Sequence, residues 1–322
     1  MQNYWEAYPS IKKELDAVQR LMVQETQDAE PFISQPLLEL IQTGGKKLRP
    51  AFVCIAGQYG KPETERLRAI AASVELLHLS TLIHDDIIDQ SKLRRGIEAI
   101  PSKYGTDVAV YLGDYLFAKT FMLMSQYQKA DSNTQLAKAI YRICRGELKQ
   151  YRFRYQVDLS VAQYLRVISG KTAALFAVSL YAGAIEGGLS VRKAHQLSLS
   201  GLRMGIAFQI IDDCLDYTSK DKTLSKSAQN DIKQGYVTLP IIYALQSDSS
   251  GQLKKRLDQE SFTESDLKWI QNQVIDLGGV SQARDLAKKY TEKAFDALNK
   301  TPDCESRQIL ADVYSALLKR NY

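Results

Sequence analysis

The 322-residue chain has only three histidines and four cysteines. The cysteines stand at 54, 144, 214 and 304, far apart and with no CxxC pair. That excludes a zinc framework and a secreted disulfide scaffold, so a reducing cytoplasm is the expected setting. Prolines are few, at 8, and the 18 glycines fall mostly between helical patterns, so no linker or composition shift is visible. Neither charge sign dominates: 42 basic against 37 acidic residues leave +5. That bias is too weak to imply nucleic acid, though it suits a small anionic substrate. No run of 18 apolar residues occurs, so no transmembrane helix is expected. The opening "MQNYWEAYPSIKKELDAVQ" mixes acids and bases, unlike a signal or transit peptide. Strand-type alternation is essentially missing.

What is present is helical spacing. The chain is 45% hydrophobic, ample for a large core, and its 25% charged fraction does not mark disorder. Ile11, Leu15, Val18 and Met22 share one helix face. Residues 62–90 form one long pattern, about 43 Å at the usual rise, with Pro62 suited to a first turn. "ESDLKWIQNQVIDLGG" and "QARDLAKKYTEKAFDALNK" are clear amphipathic helices. We expect one all-α domain over residues 1–322.

Within this frame, "HLSTLIHDDIIDQ" places Asp85, Asp86 and Asp89 among Leu82, Ile83, Ile87 and Ile88. "FQIIDDCLDY" repeats the spacing with Asp212, Asp213 and Asp216. The flanks do not repeat, so this is not a duplication. On a helix the third aspartate of each set falls about 40° from the first and about 60° from the second, so three carboxylates share an arc. A solvated acidic face would explain one such cluster but poorly explains two with apolar flanks. Oxygen-only ligands suit Mg²⁺ or Mn²⁺, with water and substrate phosphates completing the shell. Two such clusters would hold several ions around one polyphosphate.

Basic residues complete the pattern. "TGGKKLRP" offers Gly44 and Gly45 backbone N–H groups, with Lys46 and Arg49 spaced to clamp a diphosphate. It is not a P-loop, and a turn with solvated bases is an even alternative. Arg94 and Arg95 follow the first aspartates, as ion-pair partners or as two cations for two anions. Lys171 and Thr172 lie in the otherwise apolar "GKTAALFA", where a buried lysine needs an anion. Lys226 lies in a polar stretch where solvation is the simpler account. His78 falls about 20° from Asp85 on the wheel, two turns earlier. The "HD" of His84 and Asp85 would suit a metal phosphohydrolase, but three histidines are too few.

At this point the chain resembles the trans-isoprenyl (polyprenyl) diphosphate synthases, and most resembles their heptaprenyl-type, medium-to-long-chain members. The resemblance rests on "GGKKLRP", "ELLHLSTLIHDDIID", "LRRG", "GDYLFA", "GELKQ", "GKTAALF", "FQIIDDCLDY" and "VTLP". It covers nearly the whole chain. It implies a single all-α domain of a dozen or more helices around a deep central cavity, usually homodimeric, sometimes with a small accessory subunit. It further implies Mg²⁺, three ions by the family pattern, bound by Asp85, Asp86 and Asp89 with Asp212, Asp213 and Asp216. Arg94, Lys171 and Lys226 would hold the allylic diphosphate. Lys46, Arg49, His78 and Arg95 would bind isopentenyl diphosphate. Thr172 and Gln209 would line the reacting carbons. Product release would involve transient membrane contact.

The family resemblance also sets an expectation for product length. Residues four and five before the first aspartate set cavity depth, and here they are Thr81 and Ser80, both small. Leu77, Val74 or a helix on the far wall would then form the floor, allowing a product of about C30 to C40 for a quinone side chain. A shorter C15–C20 product is the alternative. One stretch departs from the family pattern. In "SKSAQNDIKQGYVTLP", Ser225 and Gln229 replace glycines, and Tyr236 stands where Lys or Asn is common. A class I terpene cyclase would carry a mixed second metal motif, and a regulatory subunit would lose aspartates. Neither matches this chain.

Overall fold

The computed structural model describes residues 4–27, 30–43, 45–94, 96–127, 130–218, 222–259 and 261–318. Among them the chain is all-α, as its spacing predicts. A 3₁₀ turn, Tyr4–Ala7, precedes α1 (Pro9–Gln27), α2 (Pro31–Gln42), α3 (Leu48–Gly57) and α4 (Thr64–Ile88). A two-residue hairpin, β1 (Leu93–Arg94) and β2 (Ile97–Glu98), is the only strand pairing among the described residues. Then come α5 (Ile100–Tyr104), α6 (Thr106–Tyr127), α7 (Ala130–Arg152) and α8 (Val161–Ile168). A π turn, Ser169–Ala173, leads into α9 (Ala174–Glu186) and α10 (Val191–Thr218). The remainder is α11 (Lys222–Lys233), α12 (Leu239–Ser247), α13 (Gln252–Leu257), α14 (Glu264–Asp276), α15 (Gly279–Leu298) and α16 (Glu305–Leu318).

The long 62–90 pattern is slightly shorter than its spacing suggests. The Glu63 carboxylate accepts from the backbone N–H of Glu65 and Arg66, so it caps α4 and leaves Pro62 outside. At the other end Asp89 is the C-cap and Gln90 takes φ 50°, which ends the helix. α14 begins at a reciprocal cap, with Thr263 and Asp266 each accepting the other's backbone N–H.

Packing divides the chain into two compact units. The first is Met1–Leu136 with Val178–Leu197. Its core includes Phe52, Ile55, Ile70, Leu76, Ile83 and Leu116, and the predicted face of α1 is buried on it. At Gly183 a Cβ would lie 2.2 Å from the Val53 carbonyl, so only glycine permits this approach of α9 to α3. The second unit is Ala137–Ala177 with Ser198–Tyr322. Ile210, Cys214, Ile232, Leu239, Ile242 and Leu267 are at its core. The stretch Val161–Glu186 is long and apolar enough to cross a membrane, which the sequence reading had not expected. Yet 72% of its apolar window is buried within the protein, as in a core helix.

Candidate active site

In the first unit, α4 delivers the first aspartate cluster at its C-terminal end. The structure separates residues that the helical wheel groups together. Asp86 is 4% exposed, whereas Asp85 and Asp89 are half-buried. Arg94 Nε donates to Asp86 Oδ1 at 2.9 Å and to Oδ2 at 3.1 Å, and its Nη2 also donates to Oδ1. The β1–β2 hairpin brings Arg94 back over the helix end, turning at Gly96 with φ 85°. Arg95 lies outside the described residues.

The "GGKKLRP" stretch enters α3 through Lys47, which has φ 46°. Gly44 lies outside the described residues. Lys47 turns inward and donates to Gln19 Oε1, and burial holds its ammonium below the usual lysine range. The Lys46 carbonyl accepts from Trp5 Nε1 at 2.9 Å, fixing the backbone of that neighbour. Arg49 Nη1 lies 2.9 Å from His78 Nε2, so two expected isopentenyl contacts meet directly.

The chain-length positions separate too. Ser80 is 1% exposed and donates to the Gly113 carbonyl at 2.9 Å, which turns it toward α6. Thr81 is half-buried and donates to the His78 carbonyl at 2.8 Å. Val74 and Leu77 are buried. Gly113, in "GDYLFA", lies beneath the His84 ring, where a Cβ would come within 2.3 Å of Nε2. His84 Nε2 is 3.4 Å from Asp114 Oδ1, an ion pair when the ring is protonated.

In the second unit, α10 carries Asp212, Asp213 and Asp216, and the middle residue is again the buried one. Tyr164 Oη donates to Asp213 Oδ2 at 2.6 Å, and Gln209 Nε2 donates to Oδ1 at 2.9 Å. Thr172 Oγ1 in turn donates to Gln209 Oε1 at 2.8 Å. This chain fixes which way the Gln209 amide faces. Burial pushes the Asp213 carboxyl up to about 6, against the lowering effect of the Tyr164 and Gln209 hydrogen bonds. Asp212 and Asp216 are half-buried.

Lys171 and Thr172 lie in the π turn, a local widening that recurs at functional sites. Lys171 is only half-buried, and its anion is internal: Nζ lies 3.0 Å from Glu147 Oε2. Glycines allow this approach. A Cβ at Gly170 would lie 2.7 Å from the Arg142 carbonyl, and one at Gly146 would lie 2.7 Å from Lys171 N. The side chain of Lys226, on α11, lies outside the described residues.

Sequence reading overlooked Tyr164, Glu147 and Lys47. Tyr164 left a faint signal, since a tyrosine on the apolar face of "VAQYLRVI" needs a partner for its hydroxyl.

The donor set in both clusters is carboxylate oxygen, which fits a hard divalent cation. Among the described residues no group of three or more His, Cys, Asp or Glu side chains converges on one point. Mg²⁺ needs no such cage, because it keeps waters and takes substrate phosphates alongside one or two carboxylates.

Comparison with known proteins identifies the family. The polyprenyl synthetase family model matches residues 30–274. Heptaprenyl diphosphate synthase component 2 of Bacillus subtilis is 33% identical over 316 residues, covering 98% of this chain and 90% of the relative. The protein of that description from Geobacillus stearothermophilus is 34% identical over 315 residues, with 98% coverage of each. Among solved structures, heptaprenyl diphosphate synthase from Staphylococcus aureus superposes with a TM-score of 0.91 at 29% identity, covering 97% of this chain and 99% of that one. Geranylgeranyl pyrophosphate synthase from Lactobacillus brevis gives a TM-score of 0.94 at 33% identity, covering 99% and 100%. By its motifs, its all-α fold and these matches, the chain belongs to the polyprenyl synthetase family of trans-isoprenyl diphosphate synthases.

Proposed function

We propose that this enzyme condenses isopentenyl diphosphate with an allylic diphosphate to give an all-trans polyprenyl diphosphate of about C30 to C40. One repeated arrangement carries the reading. In each DDxxD cluster the middle aspartate is anchored inside, and its two flanking aspartates are less buried. Asp85, Asp89, Asp212 and Asp216 would then hold Mg²⁺, with Asp86 and Asp213 as their supports. When bound, Mg²⁺ or Mn²⁺ would supply the positive charge that neutralises the allylic diphosphate and makes it a better leaving group.

The remaining roles fall to the chain's own side chains. Arg94, held by Asp86, contacts the allylic diphosphate together with Lys171 and Lys226. Lys46, Arg49, His78 and Arg95 hold isopentenyl diphosphate. Thr172 and the orientation-locked Gln209 border the reacting carbons. The isopentenyl double bond attacks the allylic carbon as its C–O bond breaks. A proton then leaves for the departing diphosphate, which the bond cleavage frees as a base beside the new carbon–carbon bond. Catalysis is therefore mainly positioning and stabilisation of a leaving group.

In this reading residues 1–322 are a single polyprenyl diphosphate synthase domain, as the family resemblance implies. The setting is cytoplasmic, in keeping with free thiols at all four cysteines. The enzyme works as a homodimer. The exposed apolar side chains Val110, Tyr111, Phe121 and Met122, toward the two ends of α6, support contact with a second copy. The words "component 2" in two relatives' names favour a second reading, a catalytic chain that needs a small partner subunit.

One assay separates these readings. The protein is incubated with Mg²⁺, radiolabelled isopentenyl diphosphate and farnesyl or geranyl diphosphate, and the extracted products are sized. Incorporation of several isopentenyl units, lost with a chelator and restored by Mg²⁺, is the expected result. Loss of the allylic substrate without incorporation would instead indicate a cyclase. Turnover only after a partner is added would establish the subunit reading.

A further inference from the structure

Tyr236 departs from the family pattern, and its surroundings give it a task. The Arg154 guanidinium carbon lies 5.2 Å from the Tyr236 ring centroid, 5.4 Å from that of Tyr155 and 5.7 Å from that of Tyr151. All three lie within cation–π range. Arg154 Nε also donates to the Gln234 carbonyl at 2.6 Å. Beside it, the Tyr155 backbone N–H donates to the Gly235 carbonyl at 2.7 Å. Both residues of that pair have positive φ, 61° at Tyr155 and 78° at Gly235. A Cβ at Gly235 would lie 2.4 Å from the Tyr155 ring, so the two segments are in close contact. A cation set among three rings and bonded to one backbone carbonyl, with a backbone bond between Tyr155 and Gly235 beside it, therefore joins residues 154–155 to residues 234–236.

Each joined segment follows a helix that carries a site residue. Residues 154–155 follow α7, whose Glu147 holds Lys171. Gln234 directly follows α11, the helix of Lys226 and Asp231. Tyr236 N–H donates to the Asp231 carbonyl at 2.8 Å, which closes the end of that helix. Val237 packs on the core that also takes Tyr217, the residue after Asp216.

We propose that Arg154 and Tyr236 form a clasp that sets the position of α11, and so of Lys226, for diphosphate binding. They are positioning residues, since Arg154 spends its Nε on Gln234 and its faces on tyrosine rings. A ring at position 236 thus takes over a holding role that needs no charge of its own. The inference rests on the reading above, in which Lys226 contacts the allylic diphosphate.

The test compares Tyr236→Ala, Tyr236→Phe, Arg154→Met and Lys226→Ala in steady-state condensation assays, with thermal unfolding measured alongside. Tyr236→Ala and Arg154→Met should each raise KM for the allylic diphosphate about tenfold, the scale of a lost cation–π contact, with kcat nearly unchanged. Tyr236→Phe keeps the ring and should behave as the wild type. Lys226→Ala should raise the same KM. If Lys226→Ala and Tyr236→Ala both leave that KM unchanged, the reading of Lys226 fails and the clasp loses its object. If Lys226→Ala raises it and Tyr236→Ala does not, the clasp alone is overturned. Equal impairment by Tyr236→Phe and Tyr236→Ala, or a fall in kcat and unfolding temperature without a change in KM, would also overturn it.

Discussion

Tyr164 donates its phenolic proton to Asp213 across 49 residues of sequence, at 2.6 Å, inside the core of the second unit. A buried carboxylate with few donors would be costly, and this bond is one of two that offset its burial. Tyr164→Phe keeps the ring and removes the donor. The expected loss is about 1.5–3 kcal/mol of stability, the range for hydrogen bonds to charged groups, together with reduced condensation activity. Urea unfolding measures the first. A variant as stable as the wild type would show that Asp213 does not depend on this phenol.

The first cluster should divide by role. Asp86→Asn breaks the fork to Arg94, whose side chain is 29% exposed, so the cost should fall below the roughly 3–5 kcal/mol of a fully buried pair. Asp85→Asn should cost less stability than Asp86→Asn, because Asp85 is only half-buried. Its activity should nevertheless fall about a hundredfold or more, because the residue acts on charge developing at the diphosphate. Chemical unfolding and steady-state kinetics on both variants check this. Retained activity in Asp85→Asn would remove it from the metal set.

Gly170→Ala tests the close approach behind Lys171. Alanine favours a helix interior by about 1 kcal/mol over glycine. Here its Cβ would meet the Arg142 carbonyl at 2.7 Å, and overpacking costs about 1–3 kcal/mol. The clash is against backbone, so it should win and the midpoint of unfolding should fall. Activity should fall with it, since Lys171 is the next residue. A stabilised Gly170→Ala would mean that α7 can move away freely.

Product length is better probed at Thr81 than at Ser80. Ser80 donates to Gly113 and is 1% exposed, so Ser80→Phe would push into α6 and destabilise the protein by about 1–3 kcal/mol. Thr81 is half-buried and its hydroxyl bonds only within α4 among the contacts described. Thr81→Phe should therefore shorten the product while the protein stays folded. Chromatographic sizing of the products decides it, and an unchanged length would take Thr81 off the wall of the growing chain.

Much of this was legible before any coordinates. The face of Ile11, Leu15, Val18 and Met22 is buried as its spacing implies. The α4 pattern was read two residues too long at each end, because Glu63 caps the helix from outside and Asp89 closes it. The two DDxxD motifs and the bases around them were visible as residue types in order. Their internal differences were not. On a helical wheel Asp85, Asp86 and Asp89 are equivalent members of one arc, and only the folded structure shows Asp86 buried and paired with Arg94 from the neighbouring hairpin. The internal anion of Lys171 was also hidden, since Glu147 lies 24 residues away on another helix.

The sequence by itself determined the helices, the chemistry of the ligands and the family. Those depend on local periodicity and on residue types at short, fixed spacings. Only the tertiary structure decided which aspartates are anchored, which way Gln209 faces, and why Tyr236 stands beside Arg154. Apart from the Asp86–Arg94 pair, eight residues apart across the hairpin, those outcomes depend on pairs 37, 49 and about 80 residues apart, whose meeting is set by how helices pack rather than by any spacing along the chain.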